Sequence, residues 1–140
     1  MQTFLPYSDF TKSAECIDKR RALKQVVEAS QIIDTIISNK KAWANHPAVN
    51  MWRGHTNALT LYYNIFWDIC KEKWNVKWNK MKKKDIFGEI LYPKWLGNDI
   101  FHSSHRANLL RKNKIYYGQF GWNEQGFDSS GNPTPYFWPN

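Results

Sequence analysis

The sequence predicts an all-α fold, and three observations carry that prediction. Apolar residues recur at helical spacing in two long stretches, cap residues stand where those stretches begin, and strand signals are weak throughout. A chain of 140 residues without repeats, low-complexity segments or a linker is expected to form one domain spanning 1–140. The expected architecture is a compact bundle of about three to four helices followed by an irregular, aromatic C-terminal segment.

Met1–Leu5 is a short extended start, stopped by Pro6. Ser8 or Asp9 can cap a short helix running through Cys16, and Asp18 can cap the longer stretch "KRRALKQVVEASQIIDTIISNK". In that stretch Leu23, Val26, Ser30, Ile33 and Ile37 follow helical spacing and are expected to face inward. "KKAWANHP" is a loop, and Pro47 suits the first turn of the next helix, which runs to about Trp74. Val49, Trp52, Leu59, Tyr62, Tyr63, Phe66 and Ile69 mark its buried face, with Gly54 as a break or bend. "KEKWNVKWNKMKKKD" has no clear period and predicts a helix tail entering an exposed, mobile basic loop. "YPKWLGN" is a turn, and Asn98 can cap a helix carrying "FHSSHRANLLRKN". After Lys114 the chain is rich in Gly, Pro and aromatic residues, so irregular structure packing its rings on the body is expected.

Composition narrows the function classes. The chain is 42% hydrophobic and 16% aromatic with eight Trp, which excludes a disordered polypeptide. Its 20 Lys and Arg against 12 Asp and Glu give a formal charge of +8. That excess fits a polyanionic partner, although a basic protein without such a partner fits it equally. Cys16 and Cys70 provide neither a disulfide framework nor a cysteine zinc motif. The start "MQTFLPYSDF" lacks a basic region followed by an apolar run, and no apolar run approaches a membrane span. A soluble, cytoplasmic protein without membrane association is expected.

Two segments carry candidate chemistry. Arg21, Lys24 and Glu28 are spaced seven and four residues apart and share one helix face, flanked by Gln25 and Gln31. The plainer alternative is a solvated stripe with a Lys–Glu pair worth ~0.3–0.5 kcal/mol, and the helix alone leaves both open. In the later helix, His102, His105, Arg106 and Leu109 share a face that is half polar and half apolar, which places it at a groove rather than in the core. Arg111 and Lys112 close that helix, where cations suit the dipole and can hold phosphates, and Tyr116, Tyr117 and Trp122 can stack on exposed bases. A zinc site joining His102 and His105 to His46 or His55 lacks an HExxH or cysteine pair, so no metal and no cofactor is expected. His55 lies near the apolar face of its helix, where a satisfied core or groove histidine is the plain expectation. No Ser-His-Asp arrangement, Walker loop or GxGxxG is present.

The start "MQTFLPYSDF", Glu28 inside a helix, Pro47 with Gly54-His55 in "NHPAVNMWRGH", and the basic helix leading into "YYG" together resemble the pyrimidine dimer DNA glycosylases, the phage-type endonuclease V enzymes. The resemblance implies a compact, mostly helical single domain acting on double-stranded DNA, damaged or modified, as a monomer. It also implies a glycosylase and abasic-site lyase in which the N-terminal amine attacks C1′ to form a Schiff base and a helix-borne Glu supports the sugar intermediate. Met1 and Glu28 are the counterparts here. An α-amine has a pKa of about 7.7–8.0, so near neutrality a usable fraction is nucleophilic. Enzymes of this kind kink the duplex and expel a base, so Arg21, Lys24, Gln31, Arg53, His55, His102, His105, Arg106, Arg111, Lys112, Tyr116 and Tyr117 are the expected DNA contacts. Two departures stand out. Characterised members lose the initiator Met and use the amine of a small polar residue, whereas bulky Gln2 is expected to retain Met1. The family's Arg-Glu-x-x-Arg becomes Val27-Glu28-x-x-Gln31, leaving Arg21 and Lys24 to supply the charge. Two other functions fit the residues: a non-catalytic nucleic-acid-binding protein on the same fold, and an enzyme acting on another base or nucleotide with His102, His105 and Glu28 as its acid–base set.

Overall fold

A computed structural model describes residues 1–139. Carboxylates start the first two helices. Asp9 accepts the Lys12 amide at 2.8 Å to open α1 (Phe10–Cys16), and Asp18 accepts the Arg21 amide to open α2 (Lys19–Ile37). α2 ends where Asn39 takes φ 49° and the Lys40 amide returns to the Thr35 carbonyl, a left-handed cap that asparagine tolerates well. Pro47 fills the first turn of α3 (Pro47–Asn50), with the His46 ring as its cap. Gly54, at φ 82°, turns the chain into α4 (Thr56–Trp74). Asn98 accepts the amides of Ile100 and Phe101 to open α5 (Asp99–Lys112), which leads into α6 (Lys114–Tyr117) and a 3-10 turn at Gly118–Phe120. Among the described residues there is no β-strand, only one isolated bridge between Phe127 and Pro133. The all-α expectation holds, with α2, α4 and α5 as the long members of six helices among the described residues.

α2 and α4 form the central packed pair. The inward stripe of α2 is rotated from the expected one. Ala22, Gln25, Val26, Ala29, Ile32 and Ile33 are buried, whereas Leu23 and Ser30 are half-buried and Ile37 is 69% exposed. α4 presents Tyr62, Tyr63 and Phe66 to the core, and rings of that size leave room for small residues opposite them. Ala22 and Ala29 therefore face inward in preference to the larger Leu23 and Ile37.

The basic segment after α4 was expected to be a mobile loop, and it is instead strapped to the helix it follows. The Asn64 side chain bonds the Lys84 carbonyl at 2.8 Å and its amide at 2.9 Å. Asn57 donates to the Phe87 and Glu89 carbonyls, Tyr63 to the Lys82 carbonyl and Trp67 to the Met81 carbonyl. These side chains satisfy a backbone that has no regular structure of its own. No described helix is long and apolar enough to cross a membrane.

The aromatic segment after α5 packs rings on the body as expected, but it opens with α6 and a 3-10 turn where irregular structure is expected from Lys114 on. Tyr117 is fully buried and stacks on Trp122 with ring centroids 5.7 Å apart. Its hydroxyl donates to the Asp18 carboxylate and accepts the Asp18 amide at 3.1 Å. One phenol thus ties the end of the last helix to the cap of α2. Replacing Tyr117 with Phe removes both bonds at the cost of one oxygen atom. Tyr117→Phe is expected to lose about 1–3 kcal/mol of stability, the usual penalty for stranding a partner of a charged hydrogen bond. Urea unfolding should show a lower midpoint with an unchanged m-value. An unchanged midpoint would mean that the bond contributes nothing.

Candidate active site

The first residues of the chain run extended through the interior without a strand beside them. Gln2, Thr3, Phe4 and Leu5 are all buried. Buried peptide groups need partners, and side chains of three helices provide them. Gln25 of α2 accepts the Phe4 amide at 2.8 Å. The Tyr62 hydroxyl of α4 lies 2.9 Å from the Phe4 carbonyl and 2.7 Å from Gln25 Oε1. His105 Nδ1 of α5 accepts the Leu5 amide at 2.9 Å, and His102 Nδ1 donates to the Leu5 carbonyl at 2.8 Å. Arg106 donates to the Pro6 carbonyl at 2.8 Å, and Trp52 Nε1 donates to the Thr3 hydroxyl at 3.0 Å.

This arrangement carries Met1 to Glu28. The Gln2 amide donates to Glu28 Oε2 at 3.1 Å, and Gln25 Nε2 donates to the same oxygen at 3.4 Å. Glu28 Oε1 faces only Lys24, 3.7 Å away, and the Lys24 side chain is 71% exposed. One carboxylate oxygen is therefore held by the fold, and the other stays open to a ligand. The Met1 nitrogen is three bonds from the Gln2 amide, ~4.3 Å of covalent path at most. Among the described residues it has neither a carboxylate partner nor a hydrogen bond. Met1 and Glu28 line one pocket of about 420 Å³ with Gln2, Arg20, Arg21, Lys24, Lys112, Tyr136 and Trp138.

The pocket gathers cations around a single carboxylate. Arg21 is paired with Asp18 at 3.2 Å, and Lys112 has no carboxylate partner among the described residues. Burial, then the charges of Arg111, Arg21 and Lys24, push the Lys112 pKa below its ordinary value, with Glu28 opposing. Such a rim attracts phosphate.

The other expected contacts are dispersed. Gln31 is exposed one turn beyond Glu28. Arg53 is exposed and bonds the Ala44 carbonyl, and His55 bonds the Leu91 carbonyl; together they border a separate hollow with Lys94 and Trp95. Arg106 forms a 3.0 Å ion pair with Glu124, and Arg111 bonds Asn108. Tyr116 lies edge-on against Tyr117. His102 and His105 are buried in the core, not at the groove expected for their face, because that face meets the peptide groups of Leu5 and Pro6. Neither histidine lines the pocket with Glu28, so the alternative acid–base set is not assembled. Among the described residues no cluster of three His, Cys, Asp or Glu side chains could hold a metal.

Tyr136 and Trp138 escaped the sequence reading, and Gln25 entered it only as a flank of Glu28. Gln25 is the pivot: its Oε1 accepts the Phe4 amide, its Nε2 donates to Glu28, and the Tyr62 hydroxyl lies within reach of both Oε1 and the Phe4 carbonyl. Tyr136 and Trp138 reach the pocket because the tail is fastened to α5, where Asn108 donates to the Thr134 carbonyl and Ser104 accepts the Phe137 amide. His46 lies edge-on to Trp138, centroids 6.1 Å apart, with its Nδ1 accepting the Ala48 amide. Burial, then the charge of the Met1 ammonium, lower the His46 pKa, with Glu28 opposing. Only the buried Gln25, one turn before Glu28, carried a local signal: an amide on the inward side of an apolar stripe.

The histidine clamp has a pH signature. Burial, assisted by the neighbouring His102, holds the His105 pKa down at about 3, and burial also lowers that of His102. The unfolded chain binds protons at the ordinary histidine value and the folded one does not. Stability from these groups is therefore complete above about pH 6.5 and lost as pH falls towards 3. Urea unfolding across that range should show wild type losing stability more steeply than His105→Gln, even if the variant is weaker at neutral pH. Parallel curves would remove His105 from the acid response.

A sequence profile of the pyrimidine dimer DNA glycosylases matches residues 1–83. Neither the curated proteins nor the solved structures yield a match. The matched stretch spans α1 to α4 and holds Met1, Lys24, Gln25 and Glu28, whereas α5 and the tail lie beyond it. The chain belongs to the pyrimidine dimer DNA glycosylase family.

Proposed function

We propose that the protein excises a damaged or modified pyrimidine from duplex DNA and then cleaves the strand, with the Met1 α-amine as nucleophile and Glu28 as the supporting carboxylate. The observation that carries this is the hydrogen bond from the Gln2 amide to Glu28 Oε2, which tethers the residue after the amine to one carboxylate oxygen and leaves the other open. A nucleophile needs a free lone pair and a fixed position, and the pinned N-terminal segment supplies the second.

The chemistry follows from those two groups. The deprotonated amine bonds to C1′ as the C1′–N1 bond breaks, and the pyrimidine leaves with the bonding electrons. Glu28 Oε1 offers a negative charge to the cationic sugar during that step. Loss of a proton from nitrogen and opening of the C1′–O4′ bond give the Schiff base, with O4′ taking a proton. The positive imine acidifies the 2′ hydrogens. Transfer of one of them to a carboxylate lets the C3′–O3′ bond break, and the 3′ phosphate departs. Water then hydrolyses the imine and returns the amine. Lys24, Lys112 and Arg20 lie around the pocket where phosphates flanking the reacting nucleotide would run.

Borohydride reduction on duplex DNA with an abasic site should trap a covalent adduct that maps to Met1. Acetylating the α-amine should abolish it. Glu28→Gln keeps an oxygen for the Gln2 amide, so fold and DNA binding should persist while strand cleavage falls by ~100-fold, the scale of a positioned acid–base group. Equal trapping by acetylated protein would exclude the amine. Wild-type cleavage by Glu28→Gln would return that residue to a solvated stripe. Duplex binding without any adduct would leave a non-catalytic DNA-binding protein.

A further inference from the structure

Among the described residues Trp43 is the one exposed tryptophan, at 59%, and the others are buried or half-buried. Trp52, Trp67, Trp78, Trp95 and Trp122 each donate the indole N–H to a partner in the fold, whereas the Trp43 ring meets only His46 among the described residues. The Trp43 backbone is also held at φ 66°, in the left-handed region that a bulky side chain rarely adopts. The turn around it is braced. The His46 amide donates to the Trp43 carbonyl at 2.9 Å and the Ala44 amide to the Lys41 carbonyl at 3.2 Å. Arg53 donates to the Ala44 carbonyl at 2.8 Å. The fold thus carries backbone strain to hold a large ring out in water, and strain of this kind collects at binding sites.

The ring stands beside the candidate active site. Trp43 lies edge-on to His46 with centroids 5.8 Å apart, and His46 lies edge-on to Trp138, which lines the pocket with Met1 and Glu28. Lys40 and Lys41, just before Trp43, are exposed and have no carboxylate partner among the described residues. An apolar face flanked by free cations matches nucleic acid, which pairs apolar base faces with phosphates.

We infer that Trp43 packs its indole on the base stack of duplex DNA where the stack opens beside the reacting nucleotide. The inference rests on the proposed glycosylase reaction and adds the residue that keeps the opened duplex from closing. Attack at C1′ requires the nucleotide to leave the stack, which uncovers the faces of its neighbours. An indole covers such a face whatever the base, and Lys40 and Lys41 hold the phosphates alongside. Because the turn is braced before DNA arrives, little ordering remains to oppose binding.

The test compares wild type, Trp43→Asn and Trp43→Phe on two duplexes, one fully paired and one with a tetrahydrofuran abasic analogue. The analogue offers the gap but no C1′ carbonyl, so binding is read without covalent chemistry. Asn suits the left-handed backbone, so Trp43→Asn should fold with a urea midpoint at or above that of wild type. Stacking on one base is worth a factor of roughly 5–150 in affinity, so Trp43→Asn should lose about that much on the gapped duplex. Its affinity for the paired duplex should stay within a few-fold of wild type. Trp43→Phe keeps a ring and should lose less. The dependence on salt should not change, because an indole displaces no counterion. Unchanged affinity for the gapped duplex, or an equal loss on both duplexes, would overturn the assignment while leaving the glycosylase reading standing. Wild type that binds neither duplex would overturn both.

Discussion

The fold depends on an extended peptide buried without a neighbouring strand. Residues 2 to 5 pass between α2, α4 and α5, and a peptide group left unpaired there costs as much as a lost hydrogen bond or more. Gln25, Tyr62, His102, His105 and Arg106 meet that requirement from three helices. Polar side chains therefore face inward among the buried apolar residues of these helices. The chain end emerges from this clamp beside Glu28, so one packing solution also places an amine next to a carboxylate.

α5 acts on both ends of the chain. Its histidines and Arg106 hold the N-terminal segment, while Ser104 and Asn108 hold the C-terminal tail. The family match covers the amine and Glu28 but stops before α5. The residues proposed to react and the device that fixes them thus come from different parts of the chain. Neutral imidazoles suit this task, since each has one donor and one acceptor nitrogen. His102 uses both: Nδ1 donates to the Leu5 carbonyl and Nε2 accepts the Gly97 amide at 2.9 Å. A protonated ring would lose that acceptor.

Local signals in the sequence identified the helices and part of the site. Asp9, Asp18, Pro47 and Asn98 cap or open helices where the sequence placed them, because capping is a matter of three or four adjacent residues. Glu28, off the apolar stripe, was legible for the same reason, and so was its pairing with Lys24 one turn before. The histidines of α5 were not legible. Their partners are 97 and 100 residues away, and a half-polar face looks alike whether it meets water, DNA or a buried backbone. The loop after α4 misled in the opposite sense. Its lysines point to a solvated loop, yet its carbonyls are held by Asn57 and Asn64, two turns apart on one face of α4, whose partners 20 to 32 residues away leave no local mark. Tyr136 and Trp138 join the site through contacts distant in sequence, the tail's bonds to α5 and the rings of Phe4 and His46.

Hydrogen exchange at the Phe4 and Leu5 amides tests the central claim most directly. Both donate only to side chains, Gln25 and His105, and neither belongs to a helix or a strand. If the clamp fixes the N-terminal segment, these amides should exchange at neutral pH as slowly as those in the middle of α2 and α4, opening only with global unfolding. Exchange at the rate of an unprotected peptide, while α2 and α4 stay protected, would show a loose chain end and contradict the placement of Met1 beside Glu28.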